Sequence, residues 1–364
     1  MARHDTEYMQ RALRLAEHGL YTTDPNPRVG CVIVRDNRIV GEGGHRRAGE
    51  PHAEILALQQ AGELASGSTV YVTLEPCSHH GKTPPCADAL VSAGVSRVVA
   101  AMQDPNPEVA GSGFEYLRER GIAVDSGLLE HDARALNPGF IKRMESGRPF
   151  VRIKMAMSLD GRTAMASGES QWISTEASRT DVQHLRARSS VILTGVDTVI
   201  HDDPSLNVRL SAAELGIEGE VRQPRRVVLD SRLRFPSGAK MLALEGNTTV
   251  LTTEEHEQQL SCEVVRLESA EGRLDLSHVM SWLNDMEVNE VHVEAGAVLC
   301  GALLENKLVD EIVVYIAPHI MGSDARGLFN LPGLDSMADR IRLEFIDVRH
   351  IGQDLRITAV PASH

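Results

Sequence analysis

Pro51-His52-Ala53-Glu54, followed by Glu75-Pro76-Cys77 and then by Pro84-Pro85-Cys86, is the stretch on which the reading of the N-terminal part turns. One histidine and two cysteines make three zinc-competent ligands. Zinc with three protein ligands keeps a fourth position for water, which separates a catalytic site from a closed structural one. The glutamate two residues past the histidine supplies the proton carrier that a hydrolytic site needs. His-x-Glu followed by Pro-Cys and a second Cys is the pattern of nucleobase deaminases. In mid-helix, residues i and i+2 point to different sides, so His52 and Glu54 cooperate only if His52 lies at an irregular helix start, which Pro51 favours. Cys86 is expected near a helix N-terminus, where the backbone favours its thiolate. Two alternatives stand beside this reading. One is a closed zinc knuckle with His79 or His80 as fourth ligand, which leaves the His-x-Glu pair unexplained; the other is a pair of ordinary buried thiols.

Around this stretch the pattern alternates between strand and helix. Tyr8, Ala12, Leu15, Ala16 and Leu20 recur at helical spacing and predict a helix over residues 6–19. Strands are expected over 29–34, 38–42, 69–74, 98–101 and 122–124, with helices over 53–64, 86–92 and 114–120. That alternation predicts a layered α/β domain with ligands at strand ends and helix starts. Glu145-Ser146-Gly147-Arg148-Pro149 is the expected linker, which divides the chain into domains over 1–146 and 147–364. In the second domain strands are expected over 150–156, 191–194, 226–229, 249–252, 290–293, 310–316, 342–348 and 355–360. Helices are expected over 175–186, 276–285 and 296–306, and 211–223 reads as an exposed polar insertion.

Bulk properties exclude several classes. A chain of 364 residues is long for one core. A net charge of −14 speaks against nucleic acid as a partner. The acidity is lopsided: sixteen Lys and Arg against nineteen Asp and Glu through Arg148 give −3, leaving −11 for the rest. No apolar run approaches the roughly 18 residues of a membrane helix. A charged N-terminus without an apolar core, together with only five cysteines, predicts a cytoplasmic protein. Cys31, Cys262 and Cys300 lie in apolar runs and read as core residues.

At this point the residues carry a resemblance. Eight residues separate Cys77 from Cys86, where zinc deaminases commonly have two. Pro-Cys-Ser-His-His-Gly-Lys-Thr-Pro-Pro-Cys resembles the bifunctional riboflavin-biosynthesis deaminase/reductase family. The second half is similar to the reductase part of that family at Lys154-Met155-Ala156-Met157-Ser158-Leu159-Asp160-Gly161-Arg162, at Ser170-Gln171-Trp172-Ile173-Ser174 and at Asp202-Asp203-Pro204. Val293-Glu294-Ala295-Gly296 and Tyr315-Ile316-Ala317-Pro318 agree as well. The resemblance implies a cytidine-deaminase-like three-layer domain followed by a dihydrofolate-reductase-like domain using NADPH.

It further implies one zinc per chain on His52, Cys77 and Cys86, with Glu54 as proton shuttle. Asn26, His45 and Lys82 are implied to meet a phosphorylated pyrimidine. In the second domain Ser170, Arg186, Leu206, Arg209 and Glu294 are implied substrate contacts. Ala156, Trp172, Thr198, Asp202, Ser231, Gly296, Ala297 and Gly301 are implied cofactor contacts, and Lys154 and Asp202 are implied to assist hydride transfer. A homodimer or tetramer is the implied assembly. Read on their own, these residues keep plainer alternatives: a solvated loop lysine at Lys82, a helix-end charge at Arg186, a core aromatic at Trp172, a turn at Asp202-Asp203-Pro204 and a packing-driven strand–helix turn at Gly296. Two rival functions also stand, a monofunctional deaminase whose second half only binds or assembles, and a zinc-stabilised interaction protein.

Overall fold

The structure, a computed structural model, describes residues 4–78, 85–107, 109–255, 260–270 and 272–362. The chain divides into two compact units, Met1–Arg148 with Gly216–Gly219, and Pro149–Leu215 with Glu220–His364.

The first unit runs α1 (Asp5–Glu17), β1 (Gly30–Arg35), β2 (Arg38–Gly44), α2 (Ala53–Ala61), β3 (Thr69–Val72), α3 (Cys86–Ser92), β4 (Arg97–Ala100), α4 (Ser112–Glu119), β5 (Ala123–Ser126), α5 (Glu130–Leu136) and α6 (Pro138–Ser146). Its sheet has the order β2-β1-β3-β4-β5; β1 pairs antiparallel with both neighbours, and β3, β4 and β5 are parallel. Side-chain alternation builds the three layers. Cys31, Ile33, Val70, Val72, Val98 and Ala100 face Ala53, Ala57, Leu90, Phe114 and Leu117 of α2, α3 and α4. Val32, Val34, Tyr71 and Val99 face Met9, Ala12, Ala133 and Ile141 of α1, α5 and α6. The expected linker is corrected here: Glu145 and Ser146 are the last residues of α6, and Pro138 opens that helix at a position proline favours.

The second unit begins with β6 (Phe150–Ser158), β7 (Arg162–Ala164), α7 (Glu176–Arg188), β8 (Val191–Gly195), α8 (Val196–Asp202), α9 (Ala212–Leu215), β9 (Arg225–Leu229), β10 (Thr248–Thr252) and β11 (Glu263–Arg266). It continues with β12 (Ser269–Ala270), β13 (Arg273–Leu274), α10 (Leu276–Asp285), β14 (Glu290–Val293), α11 (Ala297–Glu305), β15 (Glu311–Ala317), β16 (Arg326–Gly327), β17 (Leu343–Ile351) and β18 (Asp354–Pro361). Its main sheet has the order β11-β10-β9-β8-β14-β6-β15-β18-β17. All strands from β11 to β15 in that order are parallel, and β18 and β17 join antiparallel. Val151, Ile153, Leu193, Val227, Val291 and Val293 pack on Val279, Leu283, Cys300 and Leu303 of α10 and α11. On the other face Val313 and Tyr315 meet Val182 and Leu185 of α7. Of the three cysteines read as core, Cys31 and Cys300 are buried and Cys262 is only half-buried.

Candidate active sites

In the first unit the cluster starts from two glycines. A Cβ at Gly41 or Gly43 of β2 would come within 2.2 Å and 2.1 Å of the Ala57 and Ala53 carbonyl oxygens, so their absence lets α2 lie directly on the strand. That fixes the start of α2. His52 is its N-cap, with extended backbone (φ −67°, ψ 160°), and Glu54 is the second helical residue. The side-chain conflict of a mid-helix i, i+2 pair therefore does not arise. Cys77 follows β3, and Cys86 opens α3 behind Pro85. The Cys86 backbone N–H donates to Cys77 Sγ (3.3 Å), and the Ala87 N–H donates to the Cys77 carbonyl (3.1 Å).

His52 Nδ1 faces both sulfurs, 3.2 Å from Cys86 and 3.8 Å from Cys77. The ligand atoms of His52, Cys77 and Cys86 lie within 4.8 Å of one another, the group of His, Cys, Asp and Glu side chains at metal-ligand spacing among the described residues. Two soft thiols and one imidazole suit zinc. The hydrogen bond from the Cys86 thiol, helped by the His52 ring, brings Cys77 down to about 4, and the same shared proton drives Cys86 up. Binding a metal requires both thiols deprotonated and so releases protons. The Cys77 hydrogen bond raises His52. Burial, with the Cys77 charge, lifts the Glu54 carboxyl to about 7, and that carboxyl also hydrogen-bonds Cys86. A carboxyl near neutrality fits a group that must both take and give a proton.

His45 follows β2 directly. Its Nδ1 is 3.2 Å from the Pro51 carbonyl, its Nε2 is 3.2 Å from Asn26 Nδ2, and its ring meets the His52 ring edge-on at 5.4 Å. Burial lowers its pKa, which favours a neutral ring. His45 thus stands against His52, with Asn26 on its far nitrogen. Lys82, His79 and His80 lie outside the described residues.

Sequence reasoning passed over Glu75. Its carboxylate is buried and accepts backbone N–H groups from Asp104 (3.0 Å), Gly111 (3.0 Å), Gly113 (2.8 Å) and Phe114 (3.3 Å). It ties the loop that delivers Cys77 to the start of α4. Glu75→Ala would leave these buried donors unpaired and is expected to cost about 2–4 kcal/mol. Thermal unfolding of the first unit and loss of bound zinc measure it.

In the second unit the even-numbered residues of β14 and β6 line the α7-covered face. Glu294 is held by Arg186 through Nε (2.5 Å) and Nη2 (3.0 Å), with Lys154 Nζ at 3.8 Å and His292 Nε2 at 3.3 Å. Burial pushes the Glu294 carboxyl up, but Arg186 and Lys154 overcome it and hold it well below the usual carboxylate range. Burial brings Lys154 down, and burial with the nearby Arg186 charge brings Arg209 down. Lys154, Arg186, Arg209 and Glu294 therefore form one charged group with excess positive charge. Arg186 does lie in the last turn of α7, and it is buried there against Glu294.

Several of the expected cofactor residues sit at or just beyond the carboxyl ends of parallel strands. Ala156 is on β6, Thr198 is in α8 after β8, and Ser231 follows β9, its Oγ accepting the Leu274 N–H at 3.0 Å. Gly296 is the exposed N-cap of α11, and a Cβ there would meet nothing within 4 Å. Ala297 opens the helix. Gly301 has a packing reason: a Cβ there would come within 2.0 Å of the Asn330 carbonyl oxygen. Trp172 is 71% exposed, so it is not a core aromatic, and the Arg179 guanidinium lies 4.5 Å from its ring centre. Ser170 is half-buried just before it, and Leu206 is buried with φ +44°. Asp202 ends α8 as an exposed residue, and the charges acting on Lys154 are Glu294 and Arg186. The structure does not join Asp202 to Lys154.

Two family models match separate parts of the chain. The family described as RibD C-terminal domain matches residues 149–357, and the cytidine and deoxycytidylate deaminase zinc-binding region matches residues 2–102. The riboflavin biosynthesis protein RibD of Escherichia coli K12 is 52% identical over 366 residues, covering 98% of this chain and 100% of the relative. Its namesake from Haemophilus influenzae is 48% identical over 98% of this chain and 97% of the relative. Among solved structures, RibD of Acinetobacter baumannii (form 1) superposes with a TM-score of 0.92 at 46% identity over 99% of both chains. A diaminohydroxyphosphoribosylaminopyrimidine deaminase/5-amino-6-(5-phosphoribosylamino)uracil reductase from Thermotoga maritima gives a TM-score of 0.87 at 33% identity over 98% of this chain and 99% of that one.

Proposed function

The chain belongs to the RibD family of bifunctional riboflavin-biosynthesis enzymes, a zinc-dependent deaminase joined to a reductase, and from that premise we propose its substrates, cofactor and working residues. The first domain, residues 1–146, hydrolytically deaminates 2,5-diamino-6-(5-phosphoribosylamino)pyrimidin-4(3H)-one. The second, residues 147–364, reduces the ribosyl side chain of the product to ribityl phosphate with NADPH. The observation that carries the first half is His52 Nδ1 set against two sulfurs with the buried Glu54 carboxyl beside them.

His52, Cys77 and Cys86 hold one zinc. Zinc in such a site acidifies water toward neutrality. Glu54 takes the proton of the attacking water and returns it to the departing amino group, so the leaving group is ammonia. Asn26 and His45 hydrogen-bond the pyrimidine edge, and Lys82 meets the phosphate. In the second domain NADPH supplies the hydride. Arg186 and Arg209 bind the substrate phosphate, for which paired guanidinium groups are suited. Ser170, Leu206 and Glu294 complete that pocket. Lys154 and Asp202 orient and polarise the ring-opened sugar. Ala156, Trp172, Thr198, Ser231, Gly296, Ala297 and Gly301 form the cofactor side.

The reducing cytoplasm suits the free thiols that the zinc site needs. No helix among the described residues is long and apolar enough to cross a membrane. Homo-oligomerisation is supported by β17, the outermost strand of the sheet among the described residues, which exposes Phe345 (66%), Ile346 (55%) and Val348 (53%). Phe345→Asp should halve the mass read by light scattering; an unchanged mass places the contact elsewhere.

Function is tested by mass spectrometry of the chain incubated with the diamino substrate and NADPH. The expected product has exchanged one amino group for oxygen and gained two hydrogens. A product that has only lost the amino group would leave a monofunctional deaminase.

A further inference from the structure

A carboxylate from the far end of the chain reaches the reductase half's expected cofactor loop. Asp354, at the turn between β17 and β18, is fully buried, and its Oδ2 accepts three hydrogen bonds: from the Thr175 N–H (2.7 Å), the Thr175 hydroxyl (2.7 Å) and the Ser178 hydroxyl (2.6 Å). The turn can come this close because residue 352 is glycine at φ +61°; a Cβ there would lie 3.0 Å from the Ala177 Cβ. Thr175 is the N-cap of α7 and follows Ser170-Gln171-Trp172-Ile173-Ser174 directly. One turn into the helix, Arg179 donates to the Ser174 carbonyl (2.6 Å) and covers the Trp172 ring. Farther along α7, Asp181 accepts from Tyr315 Oη (2.5 Å) and Arg356 Nη1 (3.0 Å), so the same hairpin grips the helix twice.

We propose that Asp354 is a positioning residue of the reductase, holding the Ser170–Ser174 loop and the first turn of α7 in the orientation that receives the nicotinamide cofactor. This rests on the reading of Trp172 as a cofactor contact. A carboxylate buried without a cation is expensive unless charge-assisted hydrogen bonds satisfy it, and all three of these converge on one helix start. An acceptor is required there, while the second oxygen is buried with no partner among the described residues. Asn at this position could keep an acceptor oxygen toward Thr175 and Ser178, whereas Ala could not.

The test measures the NADPH dissociation constant from NADPH fluorescence, and follows Trp172 emission in a Trp282→Phe background, since the chain has two tryptophans. Asp354→Ala should weaken NADPH binding by about tenfold or more, as expected for one lost anchoring network. Reductase kcat at saturating cofactor and the deamination rate should stay close to wild type, and Trp172 emission should shift before any cofactor is added. Asp354→Asn should restore binding. If Asp354→Ala does not fold, Thr175→Val, which removes one hydroxyl donor at nearly constant volume, should shift the dissociation constant in the same direction by a smaller factor. Trp172→Ala separates the two ideas. If Trp172→Ala weakens NADPH binding and the folded Asp354 or Thr175 variant does not, the positioning role is wrong and the loop reading stands. If Trp172→Ala also binds normally, both are overturned.

Discussion

Glu54→Gln should lower deamination by about a thousandfold, within the range for loss of a general acid–base group, while zinc content and reductase activity stay at wild-type levels. Glutamine keeps the shape and a hydrogen-bonding oxygen beside Cys86, so the three ligands lose nothing they need. What disappears is the group that can be both proton donor and acceptor near pH 7. The size of the effect follows from its environment. Glu54 is buried in the first turn of α2, which limits its replacement by solvent carboxylates or buffer ions. Deamination rate, zinc by atomic absorption and NADPH oxidation by the same preparation give the three readouts. A zinc-replete variant that still deaminates would remove Glu54 from the mechanism. Retained fold without chemistry in the wild type would instead favour a zinc-stabilised interaction protein.

Arg186→Met should be the most damaging single change in the reductase half. Arg186 holds Glu294 through two hydrogen bonds and donates a third to the Asn207 carbonyl at 2.9 Å. Removing it leaves the mostly buried Glu294 with Lys154, His292 and the more distant Arg209 as its remaining neighbours, and breaking a buried pair in this way costs about 3 kcal/mol or more. The substrate phosphate would also lose one of its two proposed arginines, so kcat/KM for reduction should fall by about a hundredfold or more, two charge-assisted hydrogen bonds being lost. Deamination on the same chain serves as the internal control. Arg186→Met with Glu294→Gln separates the contributions: the neutral pair should recover part of the melting temperature and none of the reduction. Recovery of both would make the arginine a stability device and move the phosphate site elsewhere.

The parts of the fold legible in the sequence were those set by local pattern. Val70 and Val72 alternate with Tyr71 because the sheet is covered on both faces by different helices, and that alternation is visible in the chain itself. Pro51 signalled the helix start that lets His52 and Glu54 share a site. Short helices late in the first unit were harder. Glu130–Leu136 and Pro138–Ser146 carry few apolar positions, so the end of the latter read as linker although Pro138 was a usable start signal. Glu75 was illegible for another reason: its donors lie 29 to 39 residues away and belong to backbone, which leaves no mark in side-chain spacing. Asp354 is the extreme case, paired with Thr175 across 179 residues. In the reductase half no local motif announced the Lys154–Glu294–Arg186 group, because parallel strands bring together residues that are far apart in sequence. There family resemblance, rather than spacing, pointed to the residues.

Central to this account is one chain carrying two successive reactions, only the first of which needs the His52–Cys77–Cys86 site. NADPH absorbance, followed with native and zinc-stripped protein, tests it directly. Native protein should oxidise NADPH with either the diamino substrate or its deaminated product. Zinc-stripped protein should oxidise it at the native rate with the deaminated product and remain inactive with the diamino substrate. Equal NADPH oxidation with both substrates by the stripped protein, or none with the deaminated product by the native one, would contradict the account.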